Sequence, residues 1–238
     1  MVLPPEAAVA RPLALLAAMP PQGPPVASWS RVSRTALVLG RAARDPPLDD
    51  AALAARGIPV LRRRSGGGPV LWDPPLLSLD VAVPPGHRLA GRDLALSYAW
   101  LGEAVAEALR ALGLPAAAVP VPAARAAAAS RDAVSLRAAR TCFGGLSPFE
   151  VCVDGRKVVG LSQVRRRTGV LFQCGIALRL DAPLLAELLE PDPGERARLA
   201  AAVGTRAAGL DETAAVGAGE VVRAVEAALA RREGVRLR

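Results

Sequence analysis

Residues 149–161, which read FEVCVDGRKVVGL, decide the fold class. Asp154-Gly155 separates two arms rich in valine, and an Asp-Gly pair in that position is a strong signal for a β-hairpin with a two-residue turn. Such a turn pairs Cys152 with Lys157 and places both side chains on one face of the hairpin. Because a hairpin is antiparallel, we expect an α+β fold rather than a doubly wound parallel sheet.

Outward from the hairpin, hydrophobic runs and turn residues predict the other elements. We expect strands at 36–39, 58–61, 76–83 and 170–180, helices at 49–56 and 93–112, and three or so helices within 182–232. The Pro- and Ala-rich residues 1–27 are expected to be poorly ordered. Residues 28–238 then form one domain whose C-terminal part, 182–238, is helical. The predicted architecture is a central mixed, largely antiparallel sheet flanked by helices.

The chain has a single lysine, Lys157, since 29 of its 30 basic residues are arginine. Its excess of Ala, Gly, Pro and Arg is typical of a GC-rich coding sequence, in which lysine drifts to arginine wherever the two are equivalent. A surviving lysine is then one that arginine cannot replace, because only the compact ammonium reaches a phosphate or acyl oxygen in a tight pocket. The alternative is a chance remnant on a turn.

Composition narrows the function classes. A net charge of +8 suits nucleic acid, an acidic protein or a phosphorylated small molecule. Aromatic residues make up only 3%, too few for base stacking, so a basic nucleic-acid-binding module is a disfavoured alternative. The only histidine, His87, follows a turn, and the three cysteines (Cys142, Cys152, Cys174) lack metal-ligand spacing, so we expect no metal site.

Hydropathy predicts the location. No apolar run is long enough for a transmembrane helix, and the first residues lack the basic region of a secretory signal. We therefore expect a cytoplasmic protein without a membrane partner.

A second motif, residues 62–73, reads RRRSGGGPVLWD. The glycines at 66–68 lack Cβ atoms, so a ligand can lie against the backbone there and meet its N–H groups. The motif is neither a Walker A sequence nor G-x-G-x-x-G. On its own it is equally consistent with a flexible loop.

Together the two motifs resemble the family of lipoate–protein ligase A and the cysteine-dependent octanoyltransferases. The resemblance rests on RRxSGGGxVxxD at 62–73 and DGRKxxGxSQ at 154–163, about ninety residues apart, and extends over roughly residues 28–235. Features similar to those flanking the family motifs are Trp29, residues 39–41 and residues 173–175. The resemblance implies a biotin/lipoate protein ligase catalytic domain, related to class II synthetases, that acylates a lysine of a lipoyl domain.

The resemblance also implies the site. Lys157 would hold the acyl carbonyl or the α-phosphate of an acyl-adenylate, where a fixed ammonium stabilises charge that develops on oxygen. Cys142 would be the nucleophile of a transferase. The residues expected to bind substrate or nucleotide are Arg63, Ser65, Gly66, Gly67, Gly68, Asp73, Gly160, Ser162 and Gln163.

Two mechanisms stay open within the family. A ligase, our first expectation because the Ser-Gly-Gly-Gly loop is more like ligases, uses ATP and Mg²⁺ to activate lipoate or octanoate. A transferase takes octanoyl from acyl carrier protein onto Cys142 and needs no cofactor. In both cases the acceptors would be lipoyl domains of 2-oxo acid dehydrogenase E2 subunits or the glycine cleavage H protein.

The sequence also departs from the family pattern. Trp72 stands where the family usually has histidine, and Cys174 occupies a position that is often histidine. These departures leave a catalytically degenerate, ligand-binding relative as a third alternative.

Overall fold

Short strands and helices alternate along the chain. A computed structural model describes residues 1–41, 47–233 and 235–237. The helices in these ranges are Pro5–Ala17 (α1), Asp50–Arg56 (α2), Ala99–Ala111 (α3), Val121–Ala129 (α4), Ala133–Ala138 (α5), Ala182–Leu189 (α6), Pro193–Arg206 (α7) and Ala218–Glu233 (α8). The strands are Val2–Leu3 (β1), Val26–Val32 (β2), Ala36–Leu39 (β3), Val60–Arg62 (β4), Val70–Trp72 (β5), Leu76–Val83 (β6), Ala116–Ala118 (β7), Val151–Val153 (β8), Arg156–Arg166 (β9), Gly169–Ala177 (β10) and Arg236–Leu237 (β11).

The strands described form two sheets. The larger has the order β1-β2-β6-β10-β9-β8-β7, with β11 also on β2, and the smaller has the order β4-β3-β5. In the larger sheet β1 and β11 run parallel to β2, and the other neighbours are antiparallel. The prediction of an α+β fold with a mixed, largely antiparallel sheet is confirmed.

The β8–β9 hairpin has the predicted register, with Cys152 opposite Lys157. Asp154 and Gly155 have φ values of 49° and 76°. These are the left-handed conformations that a two-residue turn of this kind requires.

One residue beyond this pair, the ladder shifts at a β-bulge. Val151 lies opposite Val159, whereas a regular hairpin would place it opposite Val158. Both Val151 and Val159 are therefore buried in the main core. Without the bulge, Val159 would lie on the same face as Lys157.

The two faces of the larger sheet are covered by different elements. One face packs on α3 and α8 around Phe172. The Phe172 ring meets Tyr98 and Trp100 edge-on, at centroid distances of 5.9 Å and 5.3 Å, a favourable geometry for aromatic pairs. The other face is shared by α1 and the smaller sheet. Near one end of that face, Leu16 and Met19 close over Ala82 and Leu171. The remaining space on this face is where the candidate site lies.

The N-terminal segment differs from the expectation of poor order over residues 1–27. Pro5 occupies the first turn of α1, where no backbone N–H is needed. Ala8, Pro12 and Leu16 follow at intervals of four residues and form one buried stripe. Packing on the sheet therefore orders a segment whose composition suggests a loose tail.

The helix predicted over 93–112 begins later, at Ala99. The Asp93 carboxylate accepts hydrogen bonds from the N–H groups of Ala95 and Leu96, which holds these residues in a tight turn. Leu94 is 61% exposed as a result and lies outside the helix.

The predicted helices within 182–232 are confirmed as α6, α7 and α8. Residues 234 and 238 of the predicted helical part lie outside the described residues. Across the ranges described, no helix is both long enough and apolar enough to cross a membrane.

Candidate active site

Lys157 is buried, with 1% of its surface exposed. Its Nζ lies 2.7 Å from Glu150 Oε1 and donates to the carbonyl oxygens of Cys142, at 2.8 Å, and Gly145, at 3.0 Å. Nζ also lies 5.5 Å from the centre of the Phe143 ring. An ammonium has three N–H donors, so these described partners use all of them. Lys157 thus binds the loop that carries Cys142.

Glu150 is the counterion, a role that the sequence motifs did not predict. Besides Lys157, its carboxylate accepts from the N–H of Leu161 at 3.1 Å and from that of Ser147 at 2.7 Å. These extra hydrogen bonds are what a buried ion pair needs to offset its desolvation. Phe149, the preceding residue, has a φ of 64°, a strained value for a bulky side chain. The available signal was the hairpin register, since Glu150 lies two residues before Cys152.

The Arg63 side chain holds the conformation of the glycine loop, residues 66–68, by hydrogen bonds to its backbone. It is 6% exposed, and its guanidinium donates to Gly66 O at 2.8 Å, Gly68 O at 3.0 Å and Val38 O at 3.3 Å. Gly67 has a φ of +97°, a value that favours glycine. The guanidinium is therefore committed to the backbone of the loop, although it was expected to bind a ligand.

Gly68 allows the glycine loop to touch the cysteine loop. A Cβ atom there would lie 3.0 Å from the carbonyl carbon of Thr141 and 3.1 Å from Cys142 N. At the same contact Cys142 N donates to Pro69 O at 2.8 Å. A Cβ at Gly66, in contrast, would meet nothing within 4 Å. Only part of the triplet thus faces open space where a ligand can approach.

The three free thiols differ in their surroundings. Burial raises the pKa of Cys152 to about 11 and that of Cys174 further still, so both stay protonated and are weak nucleophiles at neutral pH. Cys142 is half-buried, and its Sγ lies 3.7 Å from the Arg63 guanidinium. Cys142 also lines the two cavities described below. Cys142 is therefore the best-placed nucleophile of the three.

Cys142 lies between two cavities. The inner pocket, about 60 Å³, has apolar walls that include Val70, Trp72 and Phe143. The outer cleft is about ten times larger, near 590 Å³, and is lined by residues 66–68, residues 144–147 and Lys157. Cys142, Leu161 and Ser162 line both. A group held in the inner pocket can thus be reached at Cys142 from the outer cleft.

A polar row crosses the floor of the inner pocket and was not predicted from the sequence. Strand pairing aligns Ser28, Asp80, Gln173 and Ser162 across β2, β6, β10 and β9. Asp80 Oδ1 accepts from Gln173 Nε2 at 3.0 Å, and burial raises the pKa of Asp80 to about 7. A charged residue inside the hydrophobic run of β6 was the available signal.

The structure brings most of the predicted site residues together. The residues that line one or both cavities are Arg63, Gly66, Gly67, Gly68, Cys142, Lys157, Gly160, Ser162 and Gln163. Gln163 Nε2 donates to Leu94 O and Ser97 Oγ, so this amide also braces the turn before α3.

Ser65 and Asp73 line neither cavity. Ser65 Oγ is buried without a hydrogen-bond partner among the described residues. Asp73 is buried, which raises its pKa to about 6 despite the charge of Arg179. Within the described ranges, no three His, Cys, Asp or Glu side chains come together as metal ligands.

Similar proteins are known both by sequence and by structure. The family model for the lipoyl protein ligase A/B catalytic domain matches residues 4–230. An octanoyltransferase, LipM, from Exiguobacterium sp. is 32% identical over 187 residues, which cover 78% of this chain and 65% of that protein. LipM from Moorella thermoacetica is 34% identical over 166 residues, 69% of this chain and 58% of that protein. The chain thus matches less than two thirds of the length of these relatives.

Among solved structures, the fold is similar to one from an archaeal lipoylation system of Thermoplasma acidophilum, described as a bi-partite lipoate protein ligase and its E2 lipoyl domain. The TM-score is 0.77, with 20% identity over all of this chain and 83% of that one. At this identity the likeness concerns the fold alone.

Proposed function

The chain belongs to the lipoyl protein ligase A/B catalytic domain family, and from this premise we propose that it transfers an octanoyl-type acyl group through a thioester on Cys142. The donor is an acyl carrier protein thioester, and the acceptor is a lysine of a lipoyl domain. The observation that carries the proposal is the position of Cys142 between the inner pocket and the outer cleft.

In the first step Cys142 Sγ attacks the acyl carbonyl of the donor thioester. A carbon–sulfur bond to Cys142 forms, the bond to the carrier sulfur breaks, and the carrier leaves as a thiol with the proton that Cys142 loses. The Arg63 guanidinium lies 3.7 Å from Sγ, so a positive charge lies beside the attacking sulfur. The acyl chain then lies in the inner pocket.

In the second step the neutral amine of the acceptor lysine attacks the thioester carbonyl from the outer cleft. An amide bond forms, and Cys142 leaves as a thiol with a proton from the amine. Lys157 acts as a positioning residue, because its ammonium fixes the carbonyl groups of Cys142 and Gly145 and so the direction of Sγ.

The ATP-dependent ligase, the first expectation from the sequence, has less support. The two relatives compared are both octanoyltransferases. A nucleotide phosphate would need donors that are free, and all three of Lys157 are engaged by Glu150 and the cysteine loop. In this arrangement the Lys157 ammonium is not free to bind a nucleotide phosphate, and no step of the proposed reaction uses ATP.

The proposed partners are those of the family. Lipoyl domains of 2-oxo acid dehydrogenase E2 subunits or the glycine cleavage H protein would accept the acyl group, and octanoyl or lipoyl would be the group transferred. We place this chemistry in the cytoplasm, where free thiols such as those of Cys142, Cys152 and Cys174 persist.

The test is acylation of an apo lipoyl domain, followed by intact-protein mass spectrometry. One mixture contains octanoyl carrier protein, and the other contains octanoate or lipoate with ATP and Mg²⁺. We expect acylation in the first mixture alone, loss of it in Cys142→Ser, and an acyl-enzyme when the acceptor is left out. Acylation only with ATP would make the chain a ligase, and acylation in neither would make it a degenerate relative.

A further inference from the structure

The wall of the outer cleft that contains Gln163 adjoins an exposed surface rich in arginine. Two segments meet there, residues 84–98 after β6 and residues 165–168 at the turn between β9 and β10. Strand pairing explains the meeting, because Val170 lies opposite Val83 and so brings the end of β6 to that turn. The two segments contain five arginines and one acidic residue: Arg88, Arg92, Arg165, Arg166, Arg167 and Asp93. We call this surface the arginine patch.

Hydrogen bonds tie the arginine patch to the wall of the cleft. Gln163, which lines the cleft, accepts from Arg165 Nε at 2.7 Å and donates to Leu94 O at 3.0 Å. Arg165 Nη1 in turn donates to Gly91 O at 2.8 Å. A protein bound to the arginine patch is therefore held beside the opening that leads to Cys142.

The charges of the arginine patch are left largely unneutralised. The carboxylate of Asp93 already accepts two backbone N–H groups of its own turn. Across the described ranges, no carboxylate forms an ion pair with Arg92, Arg166 or Arg167. These three side chains are exposed, so carboxylates of a partner can reach their guanidinium groups and bind them in the bidentate geometry that arginine favours.

The opposite wall of the outer cleft, which α4 and α5 form, is different. Its arginines there are mostly paired with carboxylates of the chain itself, at 3.2 Å, 3.0 Å and 3.7 Å for the pairs Arg137–Glu195, Arg140–Glu190 and Arg206–Asp132. Arg125 and Arg131 are exposed and form no ion pair within the described ranges. An acidic partner therefore finds more free positive charge on the arginine patch.

The arginine patch also exposes apolar side chains on a braced turn. Leu94 and Leu96 are 61% and 58% exposed, and Ser97 Oγ donates to Leu94 O at 2.9 Å. Beside them lies a groove of about 370 Å³ whose walls include Leu89, Leu96 and Trp100. Exposed leucines held in place among arginines have the composition of a protein–protein contact, with an apolar centre and a charged rim.

We propose that the arginine patch is the docking surface for an acidic face of the protein that delivers the acyl thioester. Carboxylates of the donor bind Arg92, Arg166 and Arg167, and an apolar side chain between them packs on Leu96 in the groove. The inference rests on the proposed function, because it takes the outer cleft as the route to Cys142.

Charge favours the donor over the acceptor at this surface. The acceptor presents a lysine amine, which is protonated in water at neutral pH and is repelled by nearby arginines. The donor presents a thioester, which carries no charge. Rim charges of this kind act mainly on the rate of encounter and on the choice of partner.

The experiment measures kcat/KM for acyl-enzyme formation with two donors, octanoyl carrier protein and the octanoyl thioester of N-acetylcysteamine. In Arg92→Glu/Arg166→Glu we expect kcat/KM to fall at least about tenfold with the carrier protein and less than about twofold with the small thioester. Leu94→Ser/Leu96→Ser should show the same selectivity, with a loss of about fivefold for the carrier protein.

The matched control is Arg125→Glu/Arg131→Glu, which changes the net charge equally on the opposite wall. Its kcat/KM with the carrier protein should stay within about threefold of the wild type. An equal fall in the two charge-reversal variants would show that net charge alone matters and would overturn the inference. So would an equal loss with the small thioester.

The acceptor is tested separately with isolated acyl-enzyme and an apo lipoyl domain. Transfer in Arg92→Glu/Arg166→Glu should be no slower than in the wild type. If only this step slows, the arginine patch serves the acceptor and the inference is wrong.

A binding measurement separates this inference from the proposed function. If neither donor acylates Cys142, the proposed function fails. Calorimetric titration of octanoyl carrier protein into Cys142→Ser then tests docking without turnover. Binding that Arg92→Glu/Arg166→Glu weakens at least about tenfold supports the docking surface. Absent binding, or binding that the charge reversal leaves unchanged, would overturn it.

Discussion

Lys157 and Glu150 form an ion pair that water barely reaches, with side chains 2% and 3% exposed. Removing one partner of such a pair leaves the other charge buried and unpaired, which costs about 3–5 kcal/mol. We therefore expect Glu150→Gln to lower the free energy of unfolding by about that amount, as measured by urea denaturation. The double variant Glu150→Leu/Lys157→Met should regain much of the stability but none of the acyl transfer. A loss below about 1 kcal/mol in Glu150→Gln would contradict the burial of the pair.

The same site gives a sharper prediction for Lys157→Arg. The charge is kept, but the broad, planar guanidinium cannot reproduce three short contacts converging on one nitrogen. The loop that carries Cys142 then shifts, and we expect the rate of acyl-enzyme formation to fall by about a hundredfold or more, since misplacements of about 1 Å have effects of this size. A rate within about threefold of the wild type would mark Lys157 as the chance remnant.

The raised pKa of Asp80 leads to a prediction of how the free energy of unfolding depends on pH. Burial raises its pKa from 3.8 to about 7, so below about pH 4 it is protonated in both folded and unfolded chains. Between these values only the unfolded chain ionises, and the contribution of the protonated group to stability is lost as pH rises through about 7. Asp80→Asn does not titrate. Its stability relative to the wild type should therefore increase between about pH 4 and pH 8, by about 1.4 kcal/mol for each pH unit that separates the two pKa values.

Urea denaturation at several pH values measures this difference. Asp73, whose pKa is also raised, is present in both proteins, so its contribution cancels. A difference that stays constant over this pH range would mean that Asp80 ionises normally in the folded protein.

At the scale of single residues, the sequence could identify candidate site residues but not the side chains that contact them. Lys157 stood out as the only lysine, and Cys142 by the family resemblance. Glu150 and Asp80 were missed as functional groups because their significance lies in what surrounds them. The register of the hairpin brings Glu150 to Lys157, and the pairing of β6 with β10 brings Gln173 to Asp80.

At the scale of elements, the glycine loop and the cysteine loop act together. In Gly68→Ala the new methyl group would press on Thr141 and Cys142 backbone atoms 3.0–3.1 Å away. We expect acyl-enzyme formation to fall about tenfold or more, because backbone rather than a flexible side chain must move. Gly204→Ala in α7 is the matched control, since its methyl group meets nothing within 4 Å. Equal rates in the two variants would show that the loop contact does not matter.

Elements were predictable where the signal was local. The Asp-Gly turn fixed the hairpin and its first pairs, and alternating or continuous hydrophobic runs located β3 and β6. The bulge between the Val151–Val159 and Cys152–Lys157 pairs could not be predicted, because no turn residue marks it and it depends on packing in the core. Likewise α1 is ordered by its packing on the sheet. A composition rich in Pro and Ala does not predict that contact.

At the scale of the whole molecule, the net charge of +8 should govern encounters with a protein donor. Electrostatic steering by a basic surface accelerates association with an acidic partner and weakens as salt shortens the Debye length to a few ångströms. We expect kcat/KM with octanoyl carrier protein to fall about tenfold between about 0.05 and 0.5 M salt. With an uncharged small thioester it should change less than about twofold. An equal response to salt in the two assays would show that the charge plays no part in recognition.

The position of Cys142 on the boundary of two cavities also sets the order of events. In the proposed reaction, once an acyl chain fills the inner pocket, the thioester carbonyl can be approached from the outer cleft, the same opening through which the donor arrived. Donor and acceptor proteins therefore bind at the same opening one after the other. The acyl group stays on Cys142 between the two binding events. Such a ping-pong reaction gives parallel lines in double-reciprocal plots of the steady-state rate, and donor and acceptor proteins compete for the same opening.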